Sequence, residues 1–473
     1  MLSLAIVGAV TGVVAHHGIF IEGEWHMRVL QVIAGHMMLI GAVFYSLLNH
    51  YGSLSIATSS TATTCSAYFF SLFTSPKLAA VTKLWHVYHT LDSRNYKFLQ
   101  KMYMKYGPFV RTGPNEISIF HPAAIQELDT GKNQTTKDVW YDVLKPHESA
   151  VFTRNVDYHK EWRKSWSLSL STKCMDEYRP RISKLAQLLS QSVAEYGGAP
   201  VDIDEVMSWF SFDAMGEVLF GEDFGLTRSK SMHPGIVHRD QALALLGPLE
   251  GAIWIARLGF SLSPFIGMVK HWYKMVAFCD EQKKKRIQRT SSSSKLDMAS
   301  FFLEEYDKNS EHLDAKSRDF LLTGTIISAV VAGSDTTRAS LIAACWYLSK
   351  YPIHADKIRS ELQTVKPDDL DAILALPHLN GVVNEVLRLV PPAMSGNSRI
   401  TGPDGLMLNG TFIPPFTKVT APKYVIMRMD DAFAFPDDFI PERWYSRPEL
   451  IRDGRAFTPF GFGTLSPILA VRS

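Results

Sequence analysis

The sequence predicts a mainly α-helical protein with a minor β component, preceded by transmembrane helices at its N-terminus. Apolar residues recur with a helical period over much of residues 76–473, strand patterns are short and lie beside glycine-rich turns, and residues 1–75 carry long uncharged segments. We therefore divide the chain into a membrane anchor, residues 1–75, and one large domain, residues 76–473. With 46 % apolar residues among 473, a sizeable core is available to that domain.

The composition excludes several classes of protein. The chain has 49 Lys and Arg against 47 Asp and Glu, a formal net charge of +2, and 11 % aromatic residues. Disordered tail proteins are poorer in aromatics and more strongly charged. Nucleic-acid binders concentrate basic residues, so we expect no nucleic-acid partner. The cysteines (Cys65, Cys174, Cys279 and Cys345) are dispersed without CxxC pairs, which argues against a disulfide framework or a cysteine-based zinc site.

The N-terminal segment predicts an uncleaved anchor of two or three helices. Residues 1–21 and 29–48 hold no charged side chain, and each is close to the roughly 20 residues that cross a bilayer as a helix. Residues 54–73 are uncharged but rich in Ser and Thr, so this third span is weaker. A cleavable signal peptide, the competing interpretation, would have a basic start and a single short apolar core. Lys77 and Lys83 follow the anchor, which places the large domain in the cytosol.

Helical and strand patterns can be assigned locally in the large domain. Residues 176–196 carry an apolar stripe at helical spacing, and residues 317–349 would form one helix about 50 Å long. Residues 109–111 and 117–120 flank a Gly-Pro-Asn turn and predict a hairpin. Residues 399–419, with two further glycine turns, predict a second small sheet. The basic run at residues 283–286 is either a solvated helix end or a docking patch for an acidic partner or lipid headgroups.

Residues 332–337, AGSDTT, interrupt the long apolar helix with residue types that disfavour a helix interior. Glycine costs about 1 kcal/mol relative to alanine there, and such a local conflict marks either a functional site or a packing requirement. We expect the hydroxyl of Thr336 to bond the carbonyl of Ala332, while Gly333 leaves room against the backbone. The result would be a widened groove beside the Asp335 carboxylate, suited to a small polar molecule and its protons. A buried helix with a satisfied threonine explains the motif equally well.

Three further motifs follow in the chain. Glu385 and Arg388 share one face of a helix that stops before Pro391. They form either a surface ion pair of little energy or, if buried, a bidentate contact that fixes geometry. Residues 439–444 read FIPERW, and residues 457–463 read FTPFGFG.

In combination these motifs resemble the cytochrome P450 superfamily, the haem-thiolate monooxygenases. The resemblance covers about residues 76–463, and the N-terminus looks like that of fungal membrane-bound members, such as the tryprostatin-hydroxylase-like oxidases of secondary metabolism. Residues 332–337 match the oxygen-groove motif, Glu385 and Arg388 match the ExxR pair, and Arg443 would complete a three-residue cluster with them. The resemblance implies a cytochrome P450 fold and a haem cofactor.

The resemblance also implies a role for each matching residue. Asp335 and Thr336 would be catalytic, helping to deliver protons, and Glu385, Arg388 and Arg443 would be structural pins. The residues that would contact haem or its propionates are His159, Arg163, Trp166, Ala332, Gly333, Arg399, Phe460 and Gly463.

The resemblance fails in the haem-ligand loop. Counted from Phe460 and Gly463, the family pattern FxxGxRxCxG places its arginine at Leu465 and its cysteine at Pro467. Proline has no side-chain donor atom, so this position offers no metal ligand. We therefore expect a cytochrome P450 fold truncated at the haem-ligand loop, with a catalytic domain incomplete at its C-terminus through a splice variant or a sequence-end error.

The resemblance implies monooxygenation of a lipophilic small molecule, a fungal secondary metabolite, with electrons from NADPH through a cytochrome reductase. It places the enzyme in the endoplasmic reticulum membrane with its catalytic domain facing the cytosol. The apolar residues 243–264 favour a lipophilic substrate without identifying it. Two alternatives remain open: a non-catalytic membrane protein that lacks the cysteine ligand, and a membrane scaffold without a cofactor. A measurement of haem content would distinguish the monooxygenase from these two alternatives.

Overall fold

The structure is a computed structural model that describes residues 75–130, 133–289, 295–309, 313–367 and 369–462. The expected anchor helices, Cys65, Gly463, Leu465 and Pro467 lie outside the described residues. Within the described part of the chain, one helix, Ala315–Lys350, is long and apolar enough to cross a membrane, but 61 % of its most apolar window is buried inside the protein. It is therefore the core helix of the large domain.

Helices make up most of the described chain, as the sequence predicts. In chain order they are α1 (Leu84–His89), α2 (Asn95–Tyr106), α3 (Ala124–Asp129), α4 (Val156–Ser169), α5 (Thr172–Ala194), α6 (Ile203–Phe220), α7 (Leu226–Ser229), α8 (Pro234–Leu246), α9 (Ile253–Leu262), α10 (Val269–Gln288), α11 (Met298–Lys308), α12 (Ala315–Lys350), α13 (Pro352–Leu362), α14 (Leu370–Leu374), α15 (Pro377–Leu389) and α16 (Lys423–Ile426). Short 3-10 turns cover Lys77–Ala80, Val139–Leu144, Pro441–Trp444, Pro448–Leu450 and Gly454–Ala456.

The long helix α12 confirms the expected element at residues 317–349. The carboxylate of Asp314 accepts hydrogen bonds from the backbone N–H groups of Lys316 and Ser317 and so caps the helix N-terminus. Pro352 begins the next helix directly after α12 ends, because proline is favoured in the first turn and cannot extend the preceding helix. Packing against α6 buries most of the N-terminal half of α12 in the largest apolar core.

The small strands form two sheets. They are β1 (Phe109–Gly113), β2 (Glu116–Ile119), β3 (Thr136–Lys137), β4 (Ser398–Ile400), β5 (Leu406–Leu408), β6 (Thr411–Ile413) and β7 (Lys418–Thr420). The hairpin predicted around the Gly-Pro-Asn turn is present as the antiparallel pair β1–β2. The expected second sheet is reduced to β5–β6, because β4 and β7 instead join the hairpin in a five-stranded sheet ordered β1-β2-β7-β4-β3.

The register of the five-stranded sheet matters for the site. Ile117 of β2 pairs with Val419 of β7 in the parallel sense, and both side chains are fully buried. On the other side of β7, strand β4 runs antiparallel and in turn pairs with the two-residue strand β3. The sheet thereby brings residues near position 137 next to residues near position 399, which are far apart in sequence.

The basic run at residues 283–286 is neither a wholly solvated helix end nor a uniform docking patch. Lys283 is buried and donates to Asp319 at 2.5 Å, and Arg286 is buried against Asp297 at 2.7 Å. Lys284 and Lys285 are the exposed pair, and each binds a carboxylate one turn earlier in α10. The reason is helical geometry: residues three apart share a face, so one face of the run packs inward.

Candidate functional site

The AGSDTT segment opens one face of α12 at mid-helix. The three turns before it, residues 321–330, are buried throughout, whereas Gly333 and Thr337 are exposed. Residues four apart share a helix face, so these two positions and Thr336 between them form one exposed face of α12, where the sequence predicts a groove. We refer to this exposed face as the cleft. The Thr336 hydroxyl donates to the carbonyl of Ala332 at 2.6 Å, as the sequence predicts. Ser340 repeats the pattern by donating to Thr336 O at 3.0 Å, so side-chain hydroxyls line this stretch of the helix.

The carboxylate of Asp335 points away from the Thr336 hydroxyl, into a charged network. Its Oδ1 accepts from Nη2 of Arg338 at 3.0 Å, and Arg338 also donates to Asp240 of α8 at 2.8 Å. Arg239, which is fully buried, donates to Ser334 Oγ at 2.6 Å and lies 4.0 Å from Asp335. Adjacent residues on a helix point about 100° apart. The two proposed catalytic residues therefore face different surroundings, one the open cleft and the other α8.

The cluster of Glu385, Arg388 and Arg443 is confirmed, and all three side chains are fully buried. Arg388 binds both carboxylate oxygens of Glu385, at 2.9 and 2.8 Å, in the bidentate geometry that a surface pair would lack. Arg443 donates to Oε1 of the same carboxylate at 3.0 Å, and Trp444 donates its indole hydrogen to Oε2 at 2.9 Å. The remaining guanidinium hydrogens bond backbone carbonyls. The cluster thus joins α15 to the chain near residues 427–444.

A second buried charged cluster, which the sequence reasoning identified only in part, surrounds Arg399. This side chain is fully buried, donates to Tyr141 Oη at 2.9 Å and pairs with Asp129 at 2.8 Å. Lys137 lies directly opposite Arg399 in the β3–β4 ladder. Burial, and secondarily the positive charge of Arg399, lower the pKa of Lys137 well below its usual value. Burial likewise lowers the pKa of Lys423 to about 8, again with Arg399 contributing and Asp129 opposing.

This second cluster carries an excess of basic side chains. Among the described residues, Asp129 is the acidic group whose negative charge acts on all three basic side chains, those of Lys137, Arg399 and Lys423. Buried charges are normally paired, and like charges directly opposite each other in a ladder are destabilising. Two added carboxylates would balance the three basic groups. We call these four residues the cation cluster.

Two hydrogen bonds join the FTPFGFG segment, residues 457–463, to the cation cluster. Lys423 Nζ donates to Pro459 O at 3.0 Å, and the Phe462 N–H donates to Asp129 Oδ2 at 3.3 Å. Phe460 between them is exposed. Gly463, which belongs to the same motif, lies outside the described residues, so its predicted contact with a cofactor stays a prediction.

The α4 residues occupy different environments. His159 is buried, with Nδ1 at 2.6 Å from Ala150 O and 3.2 Å from Lys137 Nζ, so it adjoins the cation cluster. The Nε atom of Arg163 is buried and has no hydrogen-bond partner among the described residues. Trp166 instead lies in the apolar core, its ring 5.1 Å from that of Phe302. The indole Nε1 of Trp166 is likewise buried without a hydrogen-bond partner among the described residues. Propionate contacts of all three residues stay predictions.

The cysteines within the described chain do not lie at the cleft. Cys174 is buried and donates to Leu168 O, and Cys279 is fully buried, which raises the pKa of its thiol. Cys345 lies on α12 itself, but it follows Gly333 by about 18 Å of helix at 1.5 Å per residue. The buried basic side chains around Arg399 therefore fit the two carboxylates of a haem, whereas none of the described cysteines lies where it fits as a ligand of the iron.

Comparisons with known proteins agree with these motifs. The cytochrome P450 family profile matches residues 74–465. Cytochrome P450 monooxygenase phqL of Penicillium fellutanum is 29 % identical over 96 % of this chain and 83 % of its own length. Cytochrome P450 monooxygenase sthD of Phaeosphaeria nodorum is 31 % identical over 83 % of this chain and 82 % of its own length. Tryprostatin B 6-hydroxylase of Aspergillus fumigatus is 28 % identical over 83 % of this chain and 70 % of its own length.

The chain belongs to the cytochrome P450 family, the haem-dependent monooxygenases. Its relatives are fungal monooxygenases, and its helical fold with small sheets is consistent with the family. The family implies a haem cofactor and a redox partner.

Proposed function

We propose that the chain is a monooxygenase of lipophilic fungal metabolites in which the cation cluster holds the haem propionates. The observation that carries the assignment is the excess of buried basic groups around Asp129, which two carboxylates would balance. Arg399 and Lys137 would hold the propionates from the sheet, and His159 and Arg163 would do so from α4. When bound through a thiolate, haem supplies the activation of oxygen.

The residues of α12 supply the groove and the protons. Gly333, which is exposed, and Ala332 would border the small molecule, and the Thr336 hydroxyl, bonded to Ala332 O, would hold a proton beside it. Asp335, whose carboxylate is bonded to Arg338 on the α8 side of the helix, would link the Arg338–Asp240 network to the neighbouring Thr336 and so assist proton delivery. Glu385, Arg388 and Arg443 keep the underlying fold rigid and take no part in the chemistry.

Substrate and partner follow by analogy with the relatives. One relative is a tryprostatin B 6-hydroxylase, and we extend to this chain only the class, hydroxylation of a lipophilic small molecule. A membrane-bound reductase would pass electrons from NADPH. Residues 1–75 would anchor the enzyme in the endoplasmic reticulum membrane, and residues 76–473 would form the catalytic domain on the cytosolic side.

A second candidate is a non-catalytic member of the family. Its support is Pro467, which stands where the family pattern has the cysteine ligand, together with the remote positions of the described cysteines. Such a chain would keep the helices and the Glu385 cluster but would lack the thiolate that favours cleavage of the oxygen–oxygen bond.

A reduced, carbon-monoxide-bound difference spectrum of the 473-residue chain in membranes distinguishes the two candidates. The band diagnostic of thiolate-ligated haem would support the monooxygenase and would mean that a cysteine remote in sequence reaches the iron. The individual replacements Cys65→Ser, Cys174→Ser, Cys279→Ser and Cys345→Ser would then identify it, since one of them alone should abolish the band. Haem bound without that band, or no haem at all, would support the non-catalytic member.

A further inference from the structure

A group of two histidines and one glutamate lies apart from the cleft, where three segments meet. His354 comes from α13, His378 from the first turn of α15, and Glu442 from the 3-10 turn Pro441–Trp444. Nδ1 of His354 is 3.2 Å from Nε2 of His378 and 4.0 Å from Oε1 of Glu442. One ligand atom from each of the three side chains lies within 4.8 Å of the other two.

The two imidazoles present ring nitrogens to each other at close range. Both rings are buried, and Nδ1 of His354 faces Nε2 of His378 at 3.2 Å. Nδ1 of His378 is 2.9 Å from the hydroxyl of Tyr445. When Nδ1–H donates to that oxygen, the Nε2 lone pair faces His354. Metal-bound histidines commonly have such a partner on the second ring nitrogen, which fixes the tautomer.

We propose that His354, His378 and Glu442 form a Zn²⁺ site, completed by a water molecule. Two nitrogen ligands and one carboxylate oxygen are a donor set that zinc accepts. Ligand atoms at about 2.0–2.1 Å from a tetrahedral zinc are roughly 3.3 Å apart, which the histidine pair already satisfies at 3.2 Å. Glu442 Oε1 is 4.0 Å from His354 Nδ1 and so has to move closer when zinc binds.

In the structure, the carboxylate of Glu442 is paired with a lysine. Lys357 binds Glu442 Oε1, and its side chain is 44 % exposed, so its ammonium group can turn into water when zinc enters. Zinc would tie α13 and α15 to the turn that carries Arg443, next to the buried Glu385 cluster. The site is therefore structural and does not depend on the oxygen chemistry proposed above.

Zinc retention by the purified chain tests this site. The untagged full-length protein is equilibrated with ZnCl₂, dialysed, and analysed for zinc per chain by mass spectrometry, with the melting temperature measured before and after loading. A matched control is His271→Gln. His238 and His271 also form a pair, at 3.1 Å between their Nδ1 atoms, but the charges that act on His238 are those of the basic residues His271, Lys274 and His233. We expect wild type and His271→Gln to retain one zinc per chain and to melt higher with it. His354→Gln and Glu442→Gln should show neither effect. Equal zinc retention by all four proteins, or by none, would overturn the proposal.

Two further variants keep every proposed ligand and so cover the case in which the ligand variants do not fold. Tyr445→Phe removes the partner of His378 Nδ1, and we expect zinc to bind about tenfold more weakly. Lys357→Met removes the competitor for Glu442, and we expect tighter binding. An unchanged zinc affinity in both variants would contradict the site, because any zinc then bound must be held elsewhere.

Discussion

Lys137 and Arg399 lie directly opposite each other in the antiparallel ladder of β3 and β4, although both side chains are basic and buried. Arg399 is compensated by Asp129 and Tyr141. Lys137 donates to the carbonyls of Ala150 and Val151 and lies 3.2 Å from Nδ1 of His159, so none of these partners is a carboxylate. An arrangement of this kind costs stability unless an anion joins it.

Replacing Lys137 by methionine should therefore stabilise the haem-free chain. Methionine keeps the aliphatic stem and removes the buried charge, so we expect the free energy of unfolding to rise by about 1–2 kcal/mol. The same variant should bind haem more weakly, because one propionate partner is lost. Denaturant unfolding and haem titration measure the two effects. Lys308→Met, at an exposed position, is the control and should change neither. A destabilised Lys137→Met that binds haem normally would contradict the role given to the cation cluster.

Lys423 gives the cluster a signature in the pH dependence of stability. Burial lowers its pKa to about 8, against 10.5 for the group in water. Between these pH values the unfolded chain holds the proton that the folded chain has released. The free energy of unfolding therefore rises with pH in this window, by up to about 3 kcal/mol, and below pH 8 the contribution is constant.

The difference between wild type and Lys423→Met isolates this effect, since other titrating groups occur in both proteins. We expect the wild-type curve to climb relative to that of the variant from about pH 8 to pH 10.5. Haem-free protein is required, because bound propionates would hold the lysine in its charged form. Parallel curves over this range would show that Lys423 titrates normally.

The sequence predicts the elements with strong local signals and misses long-range charge placement. Helix α12 and the β1–β2 hairpin are predicted correctly because helical periodicity and a Gly-Pro-Asn turn are local properties of the chain. The prediction of a separate second sheet is partly wrong, because β7 pairs with β2 and β4 pairs with β3, and these partners come more than 250 residues earlier in the chain. Strand partners so far apart leave no trace in either segment.

The sequence predicts those residues of the candidate site that belong to recognisable motifs, and it misses the others. The Glu385 cluster and the bond from Thr336 to Ala332 follow from residue spacing within one helix and from the family motifs. Lys137 and Lys423 belong to no motif, and only the fold brings them to Arg399. A buried lysine looks like any surface lysine in a sequence. The burial of Lys283 and Arg286 in the basic run was missed for the same reason.

Replacement of Glu385 by glutamine tests the structural pin. The neutral amide would leave Arg388 and Arg443 buried without their shared carboxylate. Removing one partner of a buried charge group costs about 3–5 kcal/mol, and we expect a loss of this size in the free energy of unfolding. Glu449→Gln is the control, because its pair with Arg447 is exposed and such pairs contribute about 1 kcal/mol or less. A similar small loss in both variants would mean that the backbone carbonyls alone hold the two guanidinium groups.

Two glycines of α12 differ in what a methyl group would meet. A Cβ on Gly324 would lie 2.1 Å from the carbonyl oxygen of Glu148, which is backbone, whereas a Cβ on Gly333 would meet only the flexible Met215 side chain at 3.3 Å. Alanine gains about 1 kcal/mol over glycine in a helix interior at either position. We therefore expect Gly324→Ala to be destabilised by about 2 kcal/mol through the forced backbone shift, and Gly333→Ala to be neutral or slightly stabilised. Thermal unfolding of both variants measures the contrast. Equal stabilities for the two variants would mean that α12 can move away from Glu148 at no cost.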